Sequence, residues 1–108
     1  MNTLPQAITA YIDASNEQAP ERIAACFQPD AKVVDEAHVH EGRAQIQQWA
    51  AASCARYQAT MAPLGLRMEH DAHLLRAAVS GNFPGSPVDL DFRFQLRAGA
   101  IATLEIKP

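Results

Sequence analysis

The sequence has 108 residues, of which 48% are hydrophobic and 19% charged, a composition typical of a folded domain and not of a disordered chain. We therefore predict a single domain over residues 1–108. Nine Lys and Arg residues against 12 Asp and Glu residues give a net charge of −3, and the basic residues form no run, so no nucleic-acid partner is expected. The apolar stretches are far shorter than the roughly 20 residues that span a bilayer, and the N-terminus resembles no export signal. We expect a cytoplasmic protein without a membrane partner, with Cys26 and Cys54 as reduced thiols.

The first part of the chain has helical periodicity. Apolar residues in 3–15 recur at helical spacing, and Thr3 and Gln6 have the spacing of a capping box. Residues 21–27 predict a second, short helix that ends before Pro29.

Two short strands and a long helix are predicted next. Residues 31–35 are an apolar run with two valines, and residues 38–40 could form a second strand. A long helix begins at Gly42. Its predicted inward face consists of Ile46, Trp49, Ala50, Ser53, Cys54 and Tyr57.

The second half of the chain changes to the period of strands. Residues 88–96 alternate apolar and polar side chains without error. Pro84 and Gly85 stand in the order that a type II turn requires, and Gly99 marks a tight turn. The predicted strands form an antiparallel meander of residues 58–68, 72–80, 88–96 and 100–106.

This order of elements predicts an α+β fold. Helices gathered at the N-terminus and strands gathered later favour α+β over a parallel α/β sheet. We expect a cone-shaped α+β barrel, in which three N-terminal helices pack on a curved, mainly antiparallel sheet. A pocket should then lie between the long helix and the sheet.

Three segments resemble the nuclear-transport-factor-2-like superfamily, which has a cystatin-like fold, and in particular its SnoaL-like branch. Residues 27–35 (FQPDAKVVD) are similar to its "F-x-x-D-A-x-V-x-D" segment, and residues 42–49 (GRAQIQQW) to its "G-x-x-x-I-x-x-[FW]" third helix. Residues 91–94 (DFRF) resemble its aromatic penultimate strand. The resemblance implies the cone-shaped fold, whereas function varies widely among proteins with this fold.

A comparison with ketosteroid isomerase, another member of the superfamily, implies roles for individual residues. Tyr11 matches the helix tyrosine that donates a hydrogen bond to a substrate oxygen, and Asp35 matches the aspartate that moves the proton. Trp49 matches an aromatic pocket residue, but Leu90 stands where the resemblance requires an oxyanion acid. Ketosteroid isomerisation itself is therefore not expected. An epoxide hydrolase of the limonene type is a minor alternative, since the only Asp-x-Arg run, at residues 91–93, falls on the predicted outer face.

Each candidate residue also has a purely structural interpretation. Asp35 could cap the loop after its strand, and Tyr11 could be a core tyrosine. His38 and His40 could assist Asp35 as general acid or base, or could be solvated loop residues. The pair has a spacing seen in metal sites, but no third ligand is evident, so no metal is predicted. We expect the ligand to contact Trp49, Ser53, Tyr57, Phe92 and Phe94.

Two functions therefore stay open. The first is a cofactor-independent isomerase or cyclase that binds a small apolar carbonyl compound, with Asp35 as the base, Tyr11 as the donor and a histidine assisting. The second is a non-catalytic ligand-binding or scaffold domain of the same fold. In either case we expect a homodimer through the outer sheet face, where Arg76 and Arg93 should pair with acidic residues of neighbouring strands.

Overall fold

The chain folds into a single six-stranded sheet and three helices. Two helices precede the first strand, and the third lies between the second and third strands of the chain. The computed structural model describes residues 4–108, so Thr3 of the predicted capping box lies outside the described residues. The elements in chain order are α1 (Gln6–Asn16), α2 (Pro20–Ala25), β1 (Phe27–Asp35), β2 (His38–Glu41), α3 (Gly42–Tyr57), β3 (Thr60–Glu69), β4 (Ala72–Ser80), β5 (Val88–Arg97) and β6 (Ala100–Lys107).

The sheet is mixed and has the strand order β2-β1-β6-β5-β4-β3. Strands β3 to β6 form the predicted antiparallel meander, and β1 pairs with β2 in a hairpin. The parallel pairing of β1 with β6 joins the two halves of the chain into one sheet. The α+β class and the mainly antiparallel sheet are therefore confirmed.

The largest difference from the prediction lies around residue 27. Helix α2 ends at Ala25, and Phe27 is the first residue of β1, where it pairs with Ile101 of β6. Both side chains are fully buried, so a long-range contact decides the conformation of Phe27. Pro29 lies inside β1, within the register irregularity between Phe27 and Lys32, where no regular ladder bond from its nitrogen is required.

The other boundaries are close to those predicted. The turn at residues 83–86 has the predicted type II form, with Gly85 at a φ of +84° and a hydrogen bond from the Ser86 N–H to the Phe83 carbonyl. Helix α3 ends at Tyr57 because Gln58 adopts a left-handed conformation, so β3 begins at Thr60 and not at residue 58.

One hydrophobic core lies between the helices and the sheet. Its largest fully buried side chains include Ile8 of α1, Ile46 of α3, and Phe27 and Phe94 from the sheet. This core leaves the C-terminal half of α3 only partly buried. Within residues 4–108, no helix is both long enough and apolar enough to cross a membrane.

Candidate functional site

A cavity of about 470 Å³ opens between α1, the C-terminal half of α3 and the sheet. Apart from the exposed Thr60 and Lys107, strands β3 to β6 contribute only apolar side chains to it. These are Met61, Val79, Val88, Leu90, Phe92 and Ile106. The polar side chains of the opposite wall come from the helices, the segment after α1 and the end of β1. The cavity is large enough for a small organic molecule, and most of its lining is apolar.

Asp35 is the last inward-facing residue of β1. It is half-buried in the cavity lining, and its Oδ2 accepts a hydrogen bond of 3.0 Å from Nε1 of Trp49 on α3. Burial raises the pKa of Asp35, and the bond from Trp49 opposes that rise. The carboxylate forms no ion pair with a described residue. The site therefore holds a carboxylate that is oriented, partly desolvated and more basic than an exposed aspartate.

Tyr11 presents a protonated hydroxyl to the same cavity. Only 4% of the residue is exposed, and its ring packs edge-on against Phe27 and Phe94 at centroid distances of 6.1 and 5.5 Å. Burial raises the pKa of Tyr11 well above its ordinary value, and the Ser15 hydroxyl, one helical turn further on, opposes that rise. The phenol therefore stays a hydrogen-bond donor over the whole physiological pH range.

The turn between β1 and β2 carries a second carboxylate to the rim of the cavity. Glu36 and Ala37 have φ values of +51° and +63°, a left-handed pair that glycine and asparagine normally occupy in two-residue hairpins. Glu36 accepts a 3.0 Å hydrogen bond from the Tyr57 hydroxyl at the end of α3. This bond raises the pKa of Tyr57 and ties the hairpin to the helix.

The predicted catalytic residues occupy different surroundings. Asp35 and Tyr11 line one cavity, as the prediction requires for a base and a donor acting on one molecule. His38 and His40 do not line it. His38 is exposed, whereas the ring of His40 lies 6.0 Å from that of Trp49. Among residues 4–108, no group of three His, Cys, Asp or Glu side chains is arranged to hold a metal ion.

Four of the five residues predicted to contact a ligand line the cavity: Trp49, Ser53, Tyr57 and Phe92. The fifth, Phe94, is fully buried in the core and does not line the cavity. Both phenylalanines lie on the inward face of β5, and their position along the strand decides which of them the helices cover. The placement of Phe94 at the cavity wall was therefore wrong.

The cavity also contains polar residues that were not among the predicted site residues, namely Ser15, Gln18 and Glu36. Ser15 follows Tyr11 by four residues on the same predicted face of α1, so the helical period does place it beside Tyr11. Gln18 and Glu36 lie in non-helical segments with left-handed backbones, and no periodic pattern points to them.

The position of the missing oxyanion acid is apolar in the structure as well. Leu90 lines the cavity, whereas Asp91 lies on the other sheet face, where its Oδ1 is 2.8 Å from Arg76 Nη1. This is one of the predicted cross-strand charge pairs, and the register places the two residues opposite each other. The donor set for a substrate oxygen therefore rests on hydroxyl groups of the helical wall.

The profile of the SnoaL-like domain matches residues 8–104. The chain belongs to the SnoaL-like family. Solved structures agree with this assignment. A candidate polyketide cyclase from Sinorhizobium meliloti is 38% identical to this SnoaL-like chain, with a TM-score of 0.91 over 96% of this chain and 95% of the other.

More distant structures share the fold alone. A ketosteroid-isomerase-like protein from Catenulispora acidiphila, solved with trimethylamine, is 22% identical, with a TM-score of 0.85 over 98% of this chain and 87% of the other. A nuclear-transport-factor-2-like protein from Cytophaga hutchinsonii is 14% identical, with a TM-score of 0.77 over 99% and 93%. No protein of curated function matches the chain.

Proposed function

We propose that this SnoaL-like protein binds a small apolar carbonyl compound and catalyses its isomerisation or cyclisation without a cofactor. The observation that carries the proposal is the Asp35 carboxylate, which is half-buried in an apolar cavity, held by Trp49 and free of any described cation. Such a carboxylate is suited to accept a proton from carbon. The similarity to the candidate polyketide cyclase supports the cyclase form of the proposal.

In the proposed reaction, Asp35 removes a proton from the carbon next to the carbonyl group. The electron pair of that C–H bond moves to the carbonyl oxygen, which becomes an enolate oxygen. The Tyr11 hydroxyl donates a hydrogen bond to this oxygen and stabilises its charge. In isomerisation, the proton returns from Asp35 to another carbon. In cyclisation, the enolate carbon attacks a second carbonyl carbon of the same molecule, and the resulting alkoxide takes up the proton.

Proton exchange at carbon tests the base without knowledge of the natural substrate. In D₂O, wild-type protein is expected to accelerate deuterium incorporation next to the carbonyl of 2-tetralone, followed by NMR. Asp35→Asn should lower the accelerated rate by about 100-fold or more, the range of general base catalysis. Asp13→Asn, which changes an exposed carboxylate on α1 outside the cavity lining, should leave the rate unchanged. If wild type and Asp35→Asn bind 2-tetralone and exchange its protons at equal rates, Asp35 is not the base.

The second candidate is a binding domain without catalysis, and Leu90 is the observation that favours it. An apolar side chain at the position of the oxyanion acid leaves the site short of one hydrogen bond to a developing charge. This candidate predicts that 2-tetralone binds in the cavity while its exchange rate stays at the buffer value.

We further propose that the protein acts as a homodimer through the outer sheet face. Arg76 and Asp91 lie on this face, and pairs of opposite charge at one surface can meet the same pair on a symmetry-related copy. Sedimentation equilibrium at micromolar concentration should give twice the mass of 11.7 kDa. A monomer at that concentration would contradict the proposal.

A further inference from the structure

One side of the Trp49 indole borders the open cavity, although this ring holds the proposed base. Nε1 of Trp49 donates to Oδ2 of Asp35 at 3.0 Å, and the partly buried indole contributes to the cavity lining. A side chain next to empty space loses packing contacts on that side. The direction in which the Nε1–H bond points therefore depends on the other contacts of the ring.

His40 of β2 supplies such a contact. The ring centroids of His40 and Trp49 lie 6.0 Å apart, with 35° between the ring planes. This distance is within the roughly 4.5–7 Å range over which aromatic side chains attract each other. No other aromatic ring among the described residues pairs with Trp49. His40 does not line the cavity, so it is not placed to contact a bound compound itself.

The burial pattern of β2 shows that His40 takes the inward position of this strand. His40 pairs with Val33 of β1, which is fully buried, and residues directly opposite in an antiparallel pair point to the same face. His40 is also the one residue of β2 that is partly buried, whereas its neighbour Val39 is 55% exposed. A strand with one solvated face normally turns its apolar side chains inward and its polar side chains to water. In β2 this order is reversed, so burial of apolar surface alone does not account for the position of His40.

The backbone beside His40 is tied to the helix that carries Trp49. The Glu41 N–H donates a hydrogen bond of 2.9 Å to Oε1 of Gln45. Gln45 precedes Trp49 by four residues on α3, which is about one helical turn. This bond links β2 to α3 next to the two rings and limits how far the rings can move apart.

We propose that His40 is a positioning residue, whose ring holds the Trp49 indole in the orientation that donates to Asp35. The inference rests on the proposed function in one respect, that Asp35 is the base. It deepens that function by adding a residue that acts on the base through Trp49 and does not touch the substrate. The aromatic ring is the part of His40 that this role requires, whereas a direct role as acid or base would require its ring nitrogens.

Hydrogen exchange at the Trp49 indole tests the contact directly. The chain has a single tryptophan, so its NMR spectrum contains one indole N–H signal. His40→Ala should make this hydrogen exchange with solvent about two- to tenfold faster relative to the amide hydrogens of β5, the effect expected for the loss of one aromatic contact. His40→Phe keeps a ring without nitrogens and should restore the wild-type rate. Val39→Ala, at the exposed neighbouring position, should leave the rate unchanged.

Two results for these variants would overturn the proposal. If indole exchange in His40→Ala rises no more than β5 amide exchange, His40 contributes only to overall stability. If indole exchange stays fast in His40→Phe, the ring alone does not hold the indole. His40→Leu covers the case in which His40→Ala does not fold, because leucine fills the position without a ring. Indole exchange should be fast in His40→Leu, and a wild-type rate there also overturns the proposal.

Failure of this proposal differs from failure of the proposed base. If Asp35 is the base, His40→Ala should lower the accelerated exchange of 2-tetralone about two- to tenfold with KM unchanged, and His40→Phe should recover it. An unchanged 2-tetralone rate in His40→Ala overturns the proposal. If Asp35 is not the base, even wild-type protein does not accelerate the exchange of 2-tetralone, whereas the indole measurement still decides whether His40 holds Trp49.

Discussion

The hydrogen bond between Trp49 and Asp35 fixes the proposed base, and its strength can be measured. Nε1 of Trp49 lies 3.0 Å from Oδ2 of Asp35. Trp49→Phe removes the donor and Asp35→Ala removes the acceptor, but each change also removes packing. A double-mutant cycle cancels the packing and leaves the coupling free energy between the two side chains.

The structure sets the expected size of this coupling. Hydrogen bonds to charged groups contribute about 1.5–3 kcal/mol when buried. Since Asp35 is only half-buried, solvent weakens the bond, and we expect about 1–1.5 kcal/mol at neutral pH. The coupling should fall when Asp35 is protonated, because the bond then loses its charged acceptor. Urea unfolding of the four proteins at neutral pH and near pH 3 measures both values.

Tyr57 provides the matched control. It lines the same cavity, but its hydroxyl donates to Glu36 and not to Asp35. A cycle of Tyr57→Phe with Asp35→Ala should therefore give a coupling within about 0.5 kcal/mol of zero. If the Trp49 coupling is no larger than the Tyr57 coupling, or if it does not fall with acid, Trp49 does not hold the carboxylate.

Three further predictions concern stability. Ala37→Gly should raise the free energy of unfolding by about 1 kcal/mol, because glycine tolerates the φ of +63°. The control Ala52→Gly, at an exposed position of α3, should lower it by about as much. If both variants lose stability, Ala37 is not strained in its left-handed conformation. Phe94→Ala should cost about 3–5 kcal/mol in urea unfolding, and a cost under about 1 kcal/mol would mean that Phe94 is not in the core. Gly81→Ala should lower the thermal midpoint, since the added Cβ would lie 2.6 Å from the Tyr57 carbonyl oxygen; an unchanged midpoint would show that this contact relaxes freely.

Local patterns predicted the elements whose own residues determine them. The alternation around Phe92 and Phe94 is a property of consecutive residues, so β5 could be placed from the sequence. The same holds for α3, which begins at Gly42. Phe27 follows Ile23 by four residues, and this helical spacing predicts a helix that includes Phe27. The strand conformation of Phe27 depends instead on its pairing with Ile101, which lies far along the chain.

Only the part of the site that matches ketosteroid isomerase could be predicted from the sequence. Asp35 and Tyr11 came from matched positions, and the structure places both in one cavity. The bond from Trp49 to Asp35 joins elements whose relative placement no spacing rule gives. The placement of Gln18 depends on hydrogen bonds from its amide nitrogen to the carbonyl oxygens of Ser15 and Ala59, which folding brings together, so residue types alone could not indicate it.

Asp35 occupies a position where the fold can hold a carboxylate between core and solvent. Ala31 and Val33 precede it with the period of a strand and are buried, so Asp35 continues the inward row of β1. The strand ends there, because the left-handed residues Glu36 and Ala37 turn the chain back into β2. No further inward residue of β1 covers the carboxylate, which explains how a half-buried charge stays open to a ligand.

The partial burial of Asp35 lowers the free energy of unfolding by an amount that depends on pH. Burial raises the pKa of Asp35 in the folded state above its value in the unfolded chain, so the folded protein binds the proton more tightly. Stability should therefore fall as pH rises from the unfolded pKa through the folded pKa. Asp35→Asn, which cannot ionise, should be more stable than wild type at neutral pH, and this difference should shrink near pH 3 in urea unfolding. If Asp35→Asn is instead less stable at neutral pH, the carboxylate contributes to the fold, and the case for its retention as a base is lost.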